Sequence, residues 1–153
     1  MQTVAEIGYE RPVTIAPEAD LDAVLAQLLA DQSSEVFVVD GEGRLLGVVP
    51  DYELLKARIA GTWEETTAGQ LCSTRVACFT PGTACAAILK AFREGQHSRA
   101  AILDDGRLVG QISRTRLLAW LSNSAGKSPA AVSSPKFLQT GAARVLCGLT
   151  KIS

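Results

Sequence analysis

Three side chains near residue 113 could bind an anion together. Ser113 ends an apolar run, and Arg114 and Arg116 follow it just before the leucine-rich residues 117–121. This pattern predicts a strand that leads into a helix, with Ser113 as the N-cap. Cations are unusual at a helix start, because its unpaired N–H groups make it partly positive. Two guanidinium groups at that place suit bidentate contact with phosphate oxygens.

The matching place in the first half of the chain has the opposite charge. Pro50 stands where the second half has its serine, and Asp51 and Glu53 follow it. These carboxylates suit a helix start and would repel a phosphate. A second interpretation stays open, in which Arg114 and Arg116 pair with Asp51 and Glu53, or lie in solvent, and no ligand binds.

Two further residues precede the second helix start. Arg99 lies at the edge of the preceding predicted strand and could add a third guanidinium group, and His97 lies beside it, at the rim of such a site. His97 is the only histidine, and the cysteines are separated by at least five residues, so no C-x-x-C pair is present. We therefore predict no metal site and no catalytic activity. The four cysteines are predicted to be reduced and mostly buried thiols.

Composition excludes several classes of function. The chain has 153 residues, of which 47% are hydrophobic and 20% charged, with a net charge of −1. Such a balance gives no overall attraction to nucleic acid or anionic lipid. The apolar runs are far shorter than the roughly 20 residues that cross a bilayer. The N-terminus lacks the basic start and apolar core of a secretory signal, so we expect a cytoplasmic protein with no membrane or nucleic-acid partner.

The chain repeats itself at a spacing of 64 residues. The aligned pairs include Thr3 and Thr67, Pro17 and Pro81, and, after one residue is lost in a turn, Gly47 and Gly110. The predicted module spans residues 1–122, with one repeat at 3–59, a linker at 60–66 and a second repeat at 67–122. Residues 123–153 begin with a segment rich in Ser, Ala, Gly and Pro, which predicts a flexible linker and a C-terminal tail.

Each repeat is predicted to have the order strand, helix, strand, strand, helix. The strands are predicted at 13–15 and 35–40, and at 77–79 and 99–104, and a glycine-containing turn leads into each third strand. The first helix of each repeat has apolar residues at helical spacing, which predicts one buried face. That face is Leu21, Val24, Leu25, Leu28 and Leu29 in the first repeat, and Cys85, Ile88, Leu89 and Phe92 in the second.

The size of one repeat favours a paired architecture. A unit of about 55 residues buries its sheet poorly alone, so we predict an α/β (α+β) fold in which two βαββα repeats pack sheet to sheet with pseudo-twofold symmetry. Residues 48–53, here called the first join, and residues 111–116, the second join, would then lie on related sides of a central cleft. We expect a ligand in that cleft.

The order, the repeat and several sequence runs together resemble a tandem of CBS domains, named after cystathionine beta-synthase. The matching runs are T-V-A-E-I, V-F-V-V-D with G-R-L-L-G, and H-S-R-A-A-I-L-D-D-G-R-L-V-G. The resemblance covers residues 3–122. It implies a cytosolic regulatory module, not an enzyme, that binds adenine nucleotides or S-adenosylmethionine. It also implies dimerisation through helix faces and a signal passed to an effector protein.

The family's nucleotide signature resembles Gly, two apolar residues, Ser or Thr, two free positions and Asp. In the first join, Pro50 replaces the hydroxyl and Glu53 replaces the Asp, so contact with a sugar is conceivable and contact with phosphate is not favoured. In the second join, Ile112 and Ser113 match the signature, but Arg116 replaces the carboxylate.

These observations define one predicted site and two functions. The predicted ligand-binding residues are Ser113, Arg114, Arg116, Arg99, His97, Ile112, Asp51 and Glu53. The expected regulatory ligand is AMP, ADP, ATP or S-adenosylmethionine, and no tightly held cofactor is implied. The alternative function is a ligand-free scaffold that acts through dimerisation alone.

Overall fold

The computed structural model describes residues 2–95, 97 and 99–123. Their contacts divide the chain into two compact units. The first unit contains residues 12–76 and 106–108, and the second contains the described residues of 2–11, 77–105 and 109–123. The predicted tail beyond residue 123 lies outside the described residues.

The helices and strands follow the predicted order in both halves of the chain. The first half has α1 (Val4–Ile7), β1 (Thr14–Ile15), α2 (Leu21–Ala30), β2 (Glu35–Val39), β3 (Leu45–Pro50), α3 (Asp51–Ala60) and a 3-10 turn (Trp63–Glu65). The second half has α4 (Ala68–Leu71), β4 (Cys78–Phe79), α5 (Cys85–Gly95), β5 (Arg99–Asp104), β6 (Arg107–Ser113) and α6 (Arg114–Asn123). The predicted βαββα order is therefore confirmed, and β1 and β4 are each one residue shorter than predicted.

Each unit has one three-stranded sheet. In the first unit the strand order is β1-β2-β3, with β1 parallel and β3 antiparallel to β2. In the second unit the order is β4-β5-β6, with β4 parallel to β5. The parallel pairs are joined through α2 and α5, as a crossover connection requires, whereas a tight turn is enough between antiparallel strands.

The buried face of α2 is narrower than the sequence predicts. Leu21, Val24 and Leu28 are buried, but Leu25 is 37% exposed and Leu29 is 69% exposed. Successive helix positions are rotated by about 100°, so Leu25 and Leu29 lie one step around the helix from the residues that meet the sheet. The prediction that these two leucines belong to the core is wrong.

The opening helix of each repeat packs with the body of the other repeat. Val4 N–H donates to Thr83 O at 2.9 Å in the second unit, and Ala68 N–H donates to Ala19 O at 2.9 Å in the first. Residues 2–11 therefore belong to the unit that is built mainly from the second repeat, and α4 belongs to the first unit. The compact units and the sequence repeats are consequently different sets of residues.

The cysteines are only partly as predicted. The side chains of Cys72 and Cys85 are buried, and burial raises the pKa of the Cys85 thiol to about 11. Cys78 is disulfide-bonded, so the prediction of a reduced thiol is wrong at this position. Cys147 lies outside the described residues.

Candidate functional site

Ser113 caps α6, as its place in the sequence predicts. It is the last residue of β6, and its Oγ accepts a hydrogen bond from Arg116 N–H at 3.1 Å. This bond satisfies one of the unpaired N–H groups of the first turn of α6. The second join is therefore a capped helix start with cationic residues in its first turn.

A carboxylate of the same chain lies against this helix start. Glu10 Oε1 accepts the Ser113 hydroxyl at 2.7 Å and the Ser113 N–H at 3.2 Å. The backbone holds Glu10 in place, because its N–H donates to Gln111 O at 2.7 Å and its carbonyl accepts Gln111 N–H at 2.9 Å. The predicted site does not include Glu10, since nothing local in the sequence relates two residues that are 103 positions apart.

The two guanidinium groups of the second join bind main-chain carbonyls in their own unit. Arg114 Nη2 donates to His97 O at 2.7 Å, and Arg116 Nη2 donates to Ile7 O at 3.3 Å. Both residues are exposed. Arg116 also lies over Gly8, where a β-carbon would stand 2.6 Å from Arg116 Nη2. Their roles toward a ligand, and their predicted alternative partners Asp51 and Glu53, stay predictions.

Arg114 faces a groove between α5 and α6. The groove has a volume of about 650 Å³ and is lined by Leu89, Phe92, Arg93, Arg114, Leu117, Leu118 and Leu121. Arg114 and Arg116 therefore extend from the helix start in different directions, one toward α5 and the other toward residues 7 and 8.

The other predicted residues of the second unit have distinct surroundings. Arg99 is half-buried, and its Nη1 donates to Gln111 Oε1 at 3.2 Å. His97 is half-buried, and this burial lowers the pKa of its imidazole. Ile112 is fully buried in the core of the second unit, which places its side chain in the packing beneath the join.

The first join has the opposite electrostatic character. Pro50 precedes α3 and offers neither a hydroxyl nor an N–H group. Asp51 and Glu53 lie in the first turn of α3. Asp51 N–H donates to Ser34 O at 2.8 Å, and Glu53 Oε1 forms an ion pair with Lys56 Nζ at 3.4 Å. In both joins a strand thus leads directly into a helix, and the joins differ in the charge of the residues in the first turn of that helix.

The described residues also bear on two other classes of function. Among residues 2–95, 97 and 99–123, no three His, Cys, Asp or Glu side chains form a group that could hold a metal ion. In the same residues, no helix has the length and apolar character needed to cross a membrane.

The family model for the CBS domain matches this chain twice, at residues 4–60 and 68–123. The chain belongs to the CBS-domain family. Both matches follow the sequence repeat, and each contains one of the two joins. The resemblance seen in the sequence is therefore confirmed.

Proteins of known structure share the CBS-domain pair fold. AcuB of Vibrio cholerae has a TM-score of 0.75 and 20% identity, over 88% of this chain and 99% of that chain. CBSX2, crystallised with AMP, has a TM-score of 0.72 and 22% identity, over 82% and 99%. The CBS domain pair of protein MJ0100, crystallised with 5′-methylthioadenosine and S-adenosyl-L-methionine, has a TM-score of 0.69 and 16% identity, over 81% and 98%.

A curated relative is considerably longer than this chain. An uncharacterized protein of Methanocaldococcus jannaschii is 22% identical over 122 residues, which are 80% of this chain and 44% of that protein. The CBS-domain chain described here therefore spans less than half the length of this relative.

Proposed function

We propose that this chain is a regulatory CBS-domain module that binds an adenine nucleotide or a related anionic ligand at the second join. Occupancy of the site is then passed to an effector protein or to the module's own oligomer. The observation that carries the proposal is the collection of charges around the start of α6. Arg114 and Arg116 lie in its first turn, and Arg99 lies on the neighbouring strand β5. The Glu10 carboxylate at Ser113 adds one negative charge to these three positive charges.

The chemistry of these groups favours a phosphate. A helix start is partly positive and presents N–H donors, which suits an anion. A guanidinium group has five N–H donors in a planar fork, so the bond of Arg116 to Ile7 O leaves the group able to contact a phosphate. In the proposed site, Ser113 and Arg116 bind phosphate oxygens, Arg114 and Arg99 add positive charge, and His97 lies at the rim.

The first join has another part in the proposal. Asp51 and Glu53 would repel a phosphate, so this join binds the sugar of the ligand or binds no ligand at all. Related CBS-domain pairs support an adenosine-containing ligand, because one was crystallised with AMP and another with S-adenosyl-L-methionine. The predicted cleft between the repeats stays a sequence prediction.

Calorimetric titration with AMP, ADP, ATP and S-adenosylmethionine tests the proposal. We expect saturable binding of at least one of the four, and a higher melting temperature, because a ligand that binds only the folded chain stabilises it. Arg116→Gln should weaken binding about ten-fold by removing a charge-assisted contact. Arg107→Gln is the matched control, since it removes an exposed arginine at the end of β6 opposite Ser113. No heat and no melting shift with any of the four at millimolar concentration would contradict the proposal.

A scaffold function has its own support in α3. Tyr52, Leu55 and Ile59 are 55%, 65% and 87% exposed, and their spacing places them on one face of the helix. Exposed apolar stripes of this kind mark interaction surfaces, so we propose that this face forms a homodimer. Leu55→Lys should then convert a dimer into a monomer in sedimentation velocity, whereas Ala60→Lys, an exposed position about 80° or more around the helix from all three residues, should not. A wild-type monomer would exclude the homodimer.

The compartment and the absence of catalysis belong to the proposal too. A cytoplasmic location follows from the composition and from the family resemblance, but stable disulfides are rare in that compartment. The redox state of Cys78 in cells therefore provides a direct test. Trapping with a thiol reagent under denaturing conditions at lysis, which expose this buried side chain, should label Cys78 if the chain is cytoplasmic, and should leave it unlabelled if the chain resides in an oxidising compartment.

A further inference from the structure

We propose that residues 7–10, here called the strap, form an autoinhibitory element of the second join. The Glu10 carboxylate occupies the place where an external anion would meet the start of α6, and a phosphate must displace it in order to bind. This inference rests on the proposed function, because it concerns the regulation of the same site.

The strap contacts the join, or Gly110 just before it, at four consecutive positions. Ile7 O accepts the bond from Arg116, and Gly8 lies beneath the same guanidinium group. The ring of Tyr9 covers Gly110. Glu10 exchanges two backbone hydrogen bonds with Gln111 and then places its carboxylate on Ser113. The strap therefore holds both the capping residue and the nearest arginine of the proposed site.

The first unit provides an internal comparison. Ser73 exchanges two backbone hydrogen bonds with Val48, at 2.8 and 2.9 Å, just as Glu10 does with Gln111. There the join offers no donor side chain, because Pro50 stands in place of the serine, and Ser73 Oγ instead accepts the nearby Arg75 N–H at 3.2 Å. Glu10 therefore places a carboxylate beside a join that has donors for it. Ser73, at the matching place in the first unit, places only a small hydroxyl beside a join that has no such donors.

The charges explain why the carboxylate would compete with a ligand. A carboxylate at a helix start gains from the partial positive charge there and from hydrogen bonds that its own charge strengthens. A phosphate gains from the same N–H and hydroxyl donors, and Ser113 offers only one hydroxyl proton. The two anions also repel one another, so they cannot share this place.

Displacement of Glu10 would couple ligand binding to a change in the neighbouring backbone. The strap begins at Ile7, the last residue of α1, and the backbone N–H groups of α1 donate to Thr83 O and Pro81 O. It is followed by Arg11 and by Pro12, where the first unit begins. A ligand that frees Glu10 therefore loosens the segment of chain that connects α1 to the first unit.

Titration of Glu10→Gln with AMP and with inorganic phosphate tests the inference. The amide keeps the size of the side chain and removes its charge, so we expect AMP and phosphate to bind roughly three- to ten-fold more tightly than to the wild type. Glu6→Gln is the matched control, because Glu6 is an exposed carboxylate of α1 on the same segment. It should bind both probes as the wild type does. The Ser113 amide resonance should shift on addition of AMP in both proteins and should reach saturation at lower AMP in Glu10→Gln.

The outcomes separate the strap from the proposed function. Equal or weaker binding by Glu10→Gln, with binding by the wild type intact, overturns the strap and leaves the nucleotide site standing. Binding by Glu10→Gln alone supports the strap and contradicts nucleotide binding by the wild type. Absence of binding by both proteins overturns both. If Glu10→Gln fails to fold, Glu10→Asp replaces it, since the shorter side chain should no longer reach Ser113. Because it keeps its charge, it should tighten binding less than the roughly three- to ten-fold expected for the amide, and binding equal to the wild type overturns the strap.

Discussion

The ring of Tyr9 lies directly on Gly110, where the structure leaves no room for a β-carbon. Glycine at this place in β6 lets residues 7–10 lie flat against the strand, so that Glu10 pairs with Gln111 and reaches Ser113. Such a close approach to the backbone of a strand is possible without steric cost only where the residue is glycine. The same demand recurs at Gly47, where a β-carbon would stand 2.5 Å from Ser73 O.

Gly110→Ala should destabilise the second unit. The new methyl group would collide with the Tyr9 ring, and overpacking of this kind costs about 1 to 3 kcal/mol. Urea unfolding followed by circular dichroism measures the change. Gly82→Ala is the control, because nothing lies within 4 Å of the added carbon there. Equal stability of the two variants would contradict the close contact at Tyr9.

Trp63→Ala should strongly lower the free energy of unfolding of the first unit. Trp63 is buried, its Nε1 donates to Asp22 Oδ1 at 3.1 Å, and the Arg58 guanidinium lies 4.1 Å from the ring centroid. Loss of a buried aromatic side chain costs about 3 to 5 kcal/mol. Trp63→Phe keeps most of the packing and should cost clearly less in urea unfolding. A loss below 1 kcal/mol for the alanine variant would show that the ring does not anchor this segment.

Ser113→Ala should weaken the start of α6. The change removes the cap bond to Arg116 N–H and the hydroxyl donor to Glu10, and loss of an N-cap typically costs about 1 kcal/mol. Thermal unfolding measures the loss, and Ser113→Thr should restore most of it because threonine also caps helices. An alanine variant as stable as the wild type would contradict the capping role.

The stability of the chain should depend on His97 in mildly acidic solution. Burial lowers the pKa of His97 from its ordinary value of 6.5, so the unfolded chain takes up the proton at higher pH than the folded chain. The free energy of unfolding should therefore fall as the pH drops below about 6.5, and the His97 contribution should be fully present above it. His97→Gln should flatten this part of the profile in urea unfolding between pH 5 and 8. Parallel profiles for the two proteins would rule the effect out.

Cys85 should resist alkylation in the folded protein. Burial raises the pKa of its thiol to about 11, and the thiolate is the reactive form. Iodoacetamide at pH 8 should label Cys85 only when the chain is unfolded in urea, as peptide mass spectrometry would detect. Rapid labelling of the native protein would contradict the burial of this side chain.

The amino-acid sequence alone determined the repeat, the βαββα order and the helix start at Ser113. Each of these features depends on neighbours within a few residues, through the period of the apolar positions and the preference of serine for an N-cap. The same local rule failed at Leu29, which lies on α2 with apolar neighbours but is 69% exposed. Which side of an apolar helix is covered depends on what packs against it.

Only the tertiary structure decided which groups meet at the second join. Glu10 and Ser113 are 103 residues apart, and they meet because the opening segment of the first repeat packs with the body of the second. The bonds of Arg114 and Arg116 go to the carbonyls of His97 and Ile7. Every residue carries a carbonyl group, so no side-chain pattern can indicate which carbonyls will accept these bonds; the path of the folded backbone selects them.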